Sequence, residues 1–217
     1  MTWQDLKGIR YEMAPFQGIT ENLPGWDLQT PGTALLVHDM QRYFLKKFDM
    51  HADPMKTALA NIESLVDCAR GLDLPVFYSA QPGAMTPAQR GLLSDFWGDG
   101  MSLSQSDRAI WPSISPHDEA EIVTKWRYSA LYKNDLEEKL VKLGVKQLVL
   151  VGVYAHVGIL STAIDAYTRD LKVFILSDAV ADFSATDHLL GLDIAKRVCS
   201  VVCSTTTAIA LLTGQKQ

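Results

Sequence analysis

The sequence predicts an α/β fold: a three-layer α/β/α sandwich built on a doubly wound sheet of about six mostly parallel strands. Three observations predict it. Six short apolar runs recur along the chain, each continuous rather than alternating, as in strands buried on both faces. Segments with apolar residues at helical spacing separate most of them, and strand–helix–strand repetition builds a parallel sheet covered on both sides. The chain has 217 residues, 47% apolar and 21% charged, which suits one globular domain spanning 1–217.

Taken in order, the first 32 or so residues show no clear strand and read as an irregular arm. "TALLVHD" (33–39) is the first strand, and "PMKTALANIESLVDCARGL" is a helix ending at Gly71. "LPVFYSAQ" (74–81) is the second strand. From Pro82 to Pro116 the alternation breaks into a stretch rich in Gly and Pro that also carries Phe96 and Trp97. A connection this long inside one domain is usually a lid or a binding loop. "EAEIVTK" (119–125) is the third strand, followed by "NDLEEKLVKLG", a helix with Asn134 as cap and Gly144 as stop. "KQLVLVGV" (146–153) and "LKVFILSD" (171–178) flank the helix "ILSTAIDAYTRDL". "SATDHLLGLDIAKR", with Ser184 and Thr186 as candidate caps, leads to the last strand "CSVVCST" (199–205) and the closing helix "TTTAIALLTG".

Several function classes are excluded. A net charge of −5 and the lack of a basic run argue against nucleic acid as a partner. The N-terminus "MTWQDLKGIRYEM" has no apolar core and is not a signal peptide. No apolar stretch approaches the roughly 20 residues of a membrane span. Cys68, Cys199 and Cys203 are too few and scattered for a disulfide framework, so reduced thiols and a cytoplasmic setting are expected. No phosphate loop, G-x-G-x-x-G, G-x-S-x-G or H-E-x-x-H is present, and the five histidines show no metal-ligand spacing.

Ligands of open α/β sheets bind outside the carboxyl ends of the strands. The polar residues expected there are His38 and Asp39, Gln81, Lys125, then Tyr154, His156 and Gly158, and finally Asp178. An acid, an amide, an amine and a phenol thus converge on one edge. The junction "GVYAHVG" (152–158) is notable because its strand-to-helix turn holds no cysteine or serine able to attack a substrate.

Four segments, "ALLVHDMQRYFL", "YSAQPGAMTPAQRGLLSDFWGDGM", "TKWRYSAL" and "GVYAHVGILSTAIDAYTRDLKVFILSDAVADFS", resemble the isochorismatase family from about Thr33 to the last strand. That family is a branch of the cysteine-hydrolase superfamily, whose amidases combine Asp, Lys and Cys. The resemblance implies that Asp39 and Lys125 are catalytic and that Gly158 stands at the Cys position. It also implies that Gln81, Arg90, Tyr154 and Gly158 bind substrate. Trp97, with Phe96, is a candidate pocket wall, and the planar fork of Arg90 suits a carboxylate. His156 is expected to be a hydrogen-bonded structural histidine, and Asp165 and Asp182 structural acids.

A site without a thiolate cannot run the amidase reaction of a nicotinamidase. True isochorismatases hydrolyse a vinyl ether instead, by protonating the enol carbon, so Asp39 is expected to be the general acid. Desolvation and the substrate's own carboxylates would keep its proton on, whereas Lys125 favours the carboxylate unless a substrate carboxylate engages it. The glycine is expected to leave room for the enolpyruvyl group. The missing ligand cluster leads us to expect no metal, no cofactor is expected, and the resemblance implies a homodimer. "HDMQRYFL" and "QRGLLSDFWG" also resemble the phenazine-pathway hydrolases of 2-amino-2-deoxyisochorismate, and the choice between hydroxyl and amino ring stays open. A chain ending at Gln217 leaves no space for a carrier-protein domain. The remaining alternatives are an atypical amidase and a non-catalytic member, the latter opposed by retention of both Asp39 and Lys125.

Overall fold

Six strands lie side by side in the order β3-β2-β1-β4-β5-β6, every neighbouring pair parallel. They are β1 (Thr33–His38), β2 (Val76–Ala80), β3 (Ile122–Thr124), β4 (Gln147–Val153), β5 (Lys172–Ala181) and β6 (Ser200–Cys203). The computed structural model describes residues 3–13, 15, 16 and 22–215. Part of the expected arm (residues 1, 2, 14 and 17–21) lies outside the described residues.

The continuous apolar runs become strands because both of their faces are covered. Successive side chains of a strand point to opposite faces. Leu35 and Val37 of β1 therefore join one core layer with Ile62, Leu65 and Val66 of α2 (Met55–Gly71) and Ala208 and Leu212 of α9 (Thr205–Leu212). Ala34 and Leu36 join the other layer with Leu136 and Leu140 of α6 (Leu136–Lys142), Ala163 and Ala166 of α7 (Leu160–Thr168), and Leu192 and Ala195 of α8 (Ala185–Val198). Ser184 caps α8 as its sequence predicts, accepting from the Asp187 backbone N–H. Asn134 sits one residue before the N-cap of α6, Asp135, and its Oδ1 accepts from the Leu136 N–H.

The chain order runs outward from β1 in one direction and from β4 in the other, so the reversal point lies between these two strands. Their close approach depends on Gly152: a Cβ there would stand 2.1 Å from the His38 carbonyl oxygen, and its φ is +114°. Among the described residues no helix is long and apolar enough to cross a membrane.

Two expectations are corrected. Strand β5 does not end at Asp178 but continues to Ala181, because a bulge shifts its register against β4 between Leu150 and Gly152. Asp178 therefore turns away from the strand ends and accepts from the N–H and hydroxyl of Thr205, at the start of α9. The described residues of the arm are irregular as expected, with a 3₁₀ turn at Trp3–Asp5, yet they are not peripheral. Trp3, Leu6, Ile9 and Leu28 are buried in the core, and Ile9 exchanges backbone bonds with Lys47 and Asp49.

Candidate active site

Asp39 follows the last residue of β1 in a left-handed turn (φ +52°), a conformation that aspartate tolerates better than most residues. The turn aims its buried carboxylate across the strand ends. Oδ1 accepts from the Ser79 hydroxyl of β2 at 2.7 Å, and Oδ2 lies 2.9 Å from Lys125 Nζ. The Asp39 N–H in turn donates to Ser79 Oγ at 3.1 Å. Lys125 is the first residue beyond β3, is buried, and is anchored by its N–H donating to the Ala80 carbonyl at 2.9 Å. The three strands on this side of the reversal point thus deliver acid, hydroxyl and amine to one spot.

Gln41 fastens the same region. Its Oε1 accepts from the Gln81 N–H, and its Nε2 donates to the carbonyls of Gln81 and Arg108. The long connection begins with α3 (Pro87–Arg90), α4 (Leu93–Trp97) and α5 (Gln105–Arg108). It folds over the strand ends and buries Arg90, whose Nε donates to the Gly98 carbonyl at 2.9 Å. Burial pulls the Arg90 guanidinium below its ordinary pKa. Trp97 Nε1 donates to Tyr128 Oη at 2.9 Å, while Phe96 is 72% exposed and faces away. Beyond β4, the Tyr154 hydroxyl donates to the Phe44 carbonyl at 2.9 Å, and burial pushes its phenol well above the usual range. One π-helical turn, Ala155–Ile159, then leads into α7 and holds Gly158.

A cavity at these strand ends opens to solvent. Asp39, Gln81, Arg90, Trp97, Lys125, Tyr154 and Gly158 all reach it, joined by Trp3, Tyr43, Phe44, Leu93, Tyr128, Val153 and Val157. Among the described residues its ionic groups are one carboxylate and two cations, and no thiol or aliphatic hydroxyl lines it. Cys199 and Cys203 lie elsewhere, with burial pushing their thiols up to about 11 and about 12. Among the described residues no group of three or more His, Cys, Asp or Glu side chains gathers as metal ligands would.

A family model described as the isochorismatase domain matches residues 33–207. The chain is 42% identical over 196 residues to the phenazine biosynthesis protein PhzD1 of Pseudomonas aeruginosa, covering 90% of this chain and 93% of that one. The chain belongs to the isochorismatase family. It is also 39% identical over 195 residues to an isochorismatase of Bacillus subtilis, covering 90% of this chain and 62% of the relative. Among solved structures, a cysteine hydrolase from Pseudomonas syringae superposes with a TM-score of 0.79 at 22% identity, over 88% of this chain and 97% of that one. A likeness at that identity is one of fold.

For an isochorismatase-family cavity the surprises are the residues that sequence reasoning missed. Ser79 and Gln41 were hidden because each looks like an ordinary strand or turn residue until β1 and β2 are known to pair. Trp3 was missed because its arm precedes the matched segment; it packs against Tyr43, Phe44, Trp97, Tyr154 and Phe183 and closes one wall. Aromatic pairs of this kind are worth about 0.5–1.5 kcal/mol each beyond burial. Trp3→Ala is accordingly expected to raise KM by about tenfold with a smaller change in kcat. An equal fall in kcat at constant KM would show that Trp3 holds catalytic geometry instead.

His156 is hydrogen-bonded as expected, with Nδ1 2.8 Å from Asp182 Oδ2, and this bond raises its pKa. Asp182 is fully buried and also accepts from the His156 and Phe183 N–H groups. Asp165 accepts from Ser129 and Arg169. Gly158 needs a correction. Its backbone reaches the cavity, but the space that a side chain would take is not left to a ligand, because the His38 imidazole fills it.

His38 is fully buried, and desolvation, aided by the charge of Lys125, lowers its pKa from 6.5 to about 4 against the opposing pull of Asp39. The folded protein therefore refuses a proton that the unfolded chain accepts. Stability from the neutral ring is complete above pH 6.5, falls as pH drops toward 4, and is lost by about 3 kcal/mol at the lower end. His38→Gln should flatten this slope in urea unfolding at pH 4.5 and 7, leaving the smaller part due to His188, which burial also lowers. An unchanged slope would remove His38 as its source.

Proposed function

We propose that this chain hydrolyses an enol (vinyl) ether, releasing pyruvate from isochorismate or from its 2-amino-2-deoxy analogue. The observation that carries the reading is the cavity's content: in a chain of net charge −5, it combines one acid and two cations with no nucleophile. Arg90 and Lys125 complement the two carboxylates of such a substrate. The relatives' names, isochorismatase and phenazine biosynthesis protein, point the same way.

Asp39 delivers its proton to the terminal CH₂ of the enolpyruvyl group, which becomes the methyl of pyruvate. The electron pair of the double bond forms the new C–H bond, and the ether oxygen stabilises the resulting oxocarbenium ion. Water adds to that carbon and returns a proton to Asp39. The hemiketal then collapses: the bond between the ether oxygen and the pyruvyl carbon breaks, the hemiketal hydroxyl gives its proton to the departing oxygen, and pyruvate and a ring alcohol are released with the ring C–O bond intact. Lys125, drawn toward a substrate carboxylate, relaxes its hold on Asp39, which frees that side chain to face the enol carbon. Ser79 keeps that acid aimed, and Arg90, Gln81 and Tyr154 bind and orient the substrate. No metal or cofactor takes part.

Offering isochorismate and the amino analogue separately, with pyruvate measured by a coupled assay, tests the reading. Release from at least one is expected; no release from either would end it. The protein is further proposed to be a cytoplasmic homodimer. Apolar side chains exposed on α7 and α8, including Ile164, Tyr167, Leu190 and Ile194, favour self-association. A monomer by sedimentation at micromolar concentration would remove the dimer alone.

A further inference from the structure

His38 is the last residue of β1, and its ring is enclosed on every side. Nδ1 is held 2.8 Å from the Val153 carbonyl oxygen at the end of β4. Nε2 is buried and, among the described residues, makes no hydrogen bond of ordinary geometry, although the Tyr128 backbone lies near enough to favour a proton on the ring. Buried ring nitrogens so poorly partnered are costly, so an imidazole placed here calls for a physical reason.

Gly158 supplies it. A Cβ built on Gly158 would stand 2.3 Å from His38 Cε1, 3.0 Å from Nε2 and 3.2 Å from Nδ1. Real Cβ atoms do not come so close to carbon, so one of the two must move. Neither can move easily. The imidazole is tied to Val153 and belongs to a central strand paired on both sides. Gly158 sits in a turn packed between β4 and α7. Its φ lies outside the left-handed region, so conformation does not demand glycine at this position. Space does.

We propose that His38 is a specificity-determining residue: its imidazole occupies the volume of any side chain at position 158, so the turn that faces Asp39 and Lys125 cannot carry a nucleophile while His38 is present. Glycine at 158 and histidine at 38 are then one feature rather than two. A single exchange at 158 overpacks the seam without furnishing a usable thiol, and access to amide-type chemistry requires both positions to change. This deepens the enol-ether reading and rests on it for the reaction that remains; the steric exclusion itself depends only on the two residues.

The test compares wild type, Gly158→Cys, His38→Asn and the double variant. The His38→Asn exchange would be a misleading control if it merely unfolded the strand, but an asparagine amide can keep the donor to Val153 while removing Cε1 and Nε2. His38→Val is the second choice if His38→Asn does not fold. Thermal unfolding is measured first. Gly158→Cys is expected to lower Tm by about 5 °C or more in the wild-type background, the scale of overpacking in a domain of this size, and by clearly less in the His38→Asn background. Iodoacetamide labelling of the native proteins, mapped by peptide mass to separate Cys68, Cys199 and Cys203, is expected to modify the introduced thiol at least about tenfold faster in the double variant. Equal Tm losses in both backgrounds, or equal labelling rates, would overturn the proposal. Pyruvate release by wild type is read separately. Its absence would sink the enol-ether reading while leaving the coupling intact, and its presence without coupling would do the reverse.

Discussion

Asp39→Asn is expected to lower kcat by at least the roughly 10²–10⁴-fold that accompanies loss of a general acid. Asparagine preserves the shape of the side chain and can still accept from Ser79, the partner now 2.7 Å from Oδ1. It has no carboxyl proton to give. Substrate should still bind, because Arg90, Gln81 and Lys125 remain in the cavity, so KM should change far less than kcat. Two isotope readouts accompany the variant. In wild type, heavy water should slow turnover and place deuterium in the methyl group of pyruvate, measured against a control for keto–enol exchange. A native kcat in the Asp39→Asn protein would eliminate the proposed proton transfer.

Lys125→Met should be the second most damaging change, because it acts on stability as well as rate. Lys125 and Asp39 are both buried and form a 2.9 Å ion pair, so each neutralises the other out of reach of solvent. Methionine keeps most of the stem's volume, so the loss reports the charge. Removing one partner of a buried ion pair costs about 3–5 kcal/mol. For a domain of this size that corresponds to a fall in Tm of about 6–20 °C. Loss of a charge-assisted contact to the substrate, about 1.5–3 kcal/mol, adds a decrease in kcat/KM on the order of tenfold to a hundredfold. The double variant Asp39→Asn/Lys125→Met removes both charges and should regain much of the lost Tm while staying inactive. If Lys125→Met alone keeps wild-type Tm and rate, the ion pair contributes neither stability nor catalysis.

The division between what was legible and what was hidden follows from the range of the forces involved. Strand and helix identity is local: each buried strand must be apolar on both faces, and each helix needs caps and a stripe, so all six strands were readable in place. In a parallel sheet every strand points its carboxyl end to the same edge, which made Asp39, Gln81, Lys125 and Tyr154 findable from the positions where apolar runs stop. The short length of β3, only three residues, did not obscure this, since Lys125 still follows it directly. Asp178 was misplaced because a bulge adds residues to β5 that no change in composition announces.

Other parts of the site belong to tertiary structure alone. Ser79 is inside a strand and meets Asp39 only because β2 pairs with β1, a matter of strand order. Trp3 reaches the cavity because an arm without strand pattern finds its partners in α1 (Arg42–Leu45) and α4, through aromatic contacts between residues far apart in sequence. The sequence alone therefore determined the sheet, its reactive edge, the acid–amine pair and the missing nucleophile. Only the tertiary structure decided that the space beside Gly158, where a side chain would stand, is filled by the His38 imidazole. A clash between His38 and Gly158, so far apart in the chain, depends on the separation of β1 and β4, which no local pattern encodes.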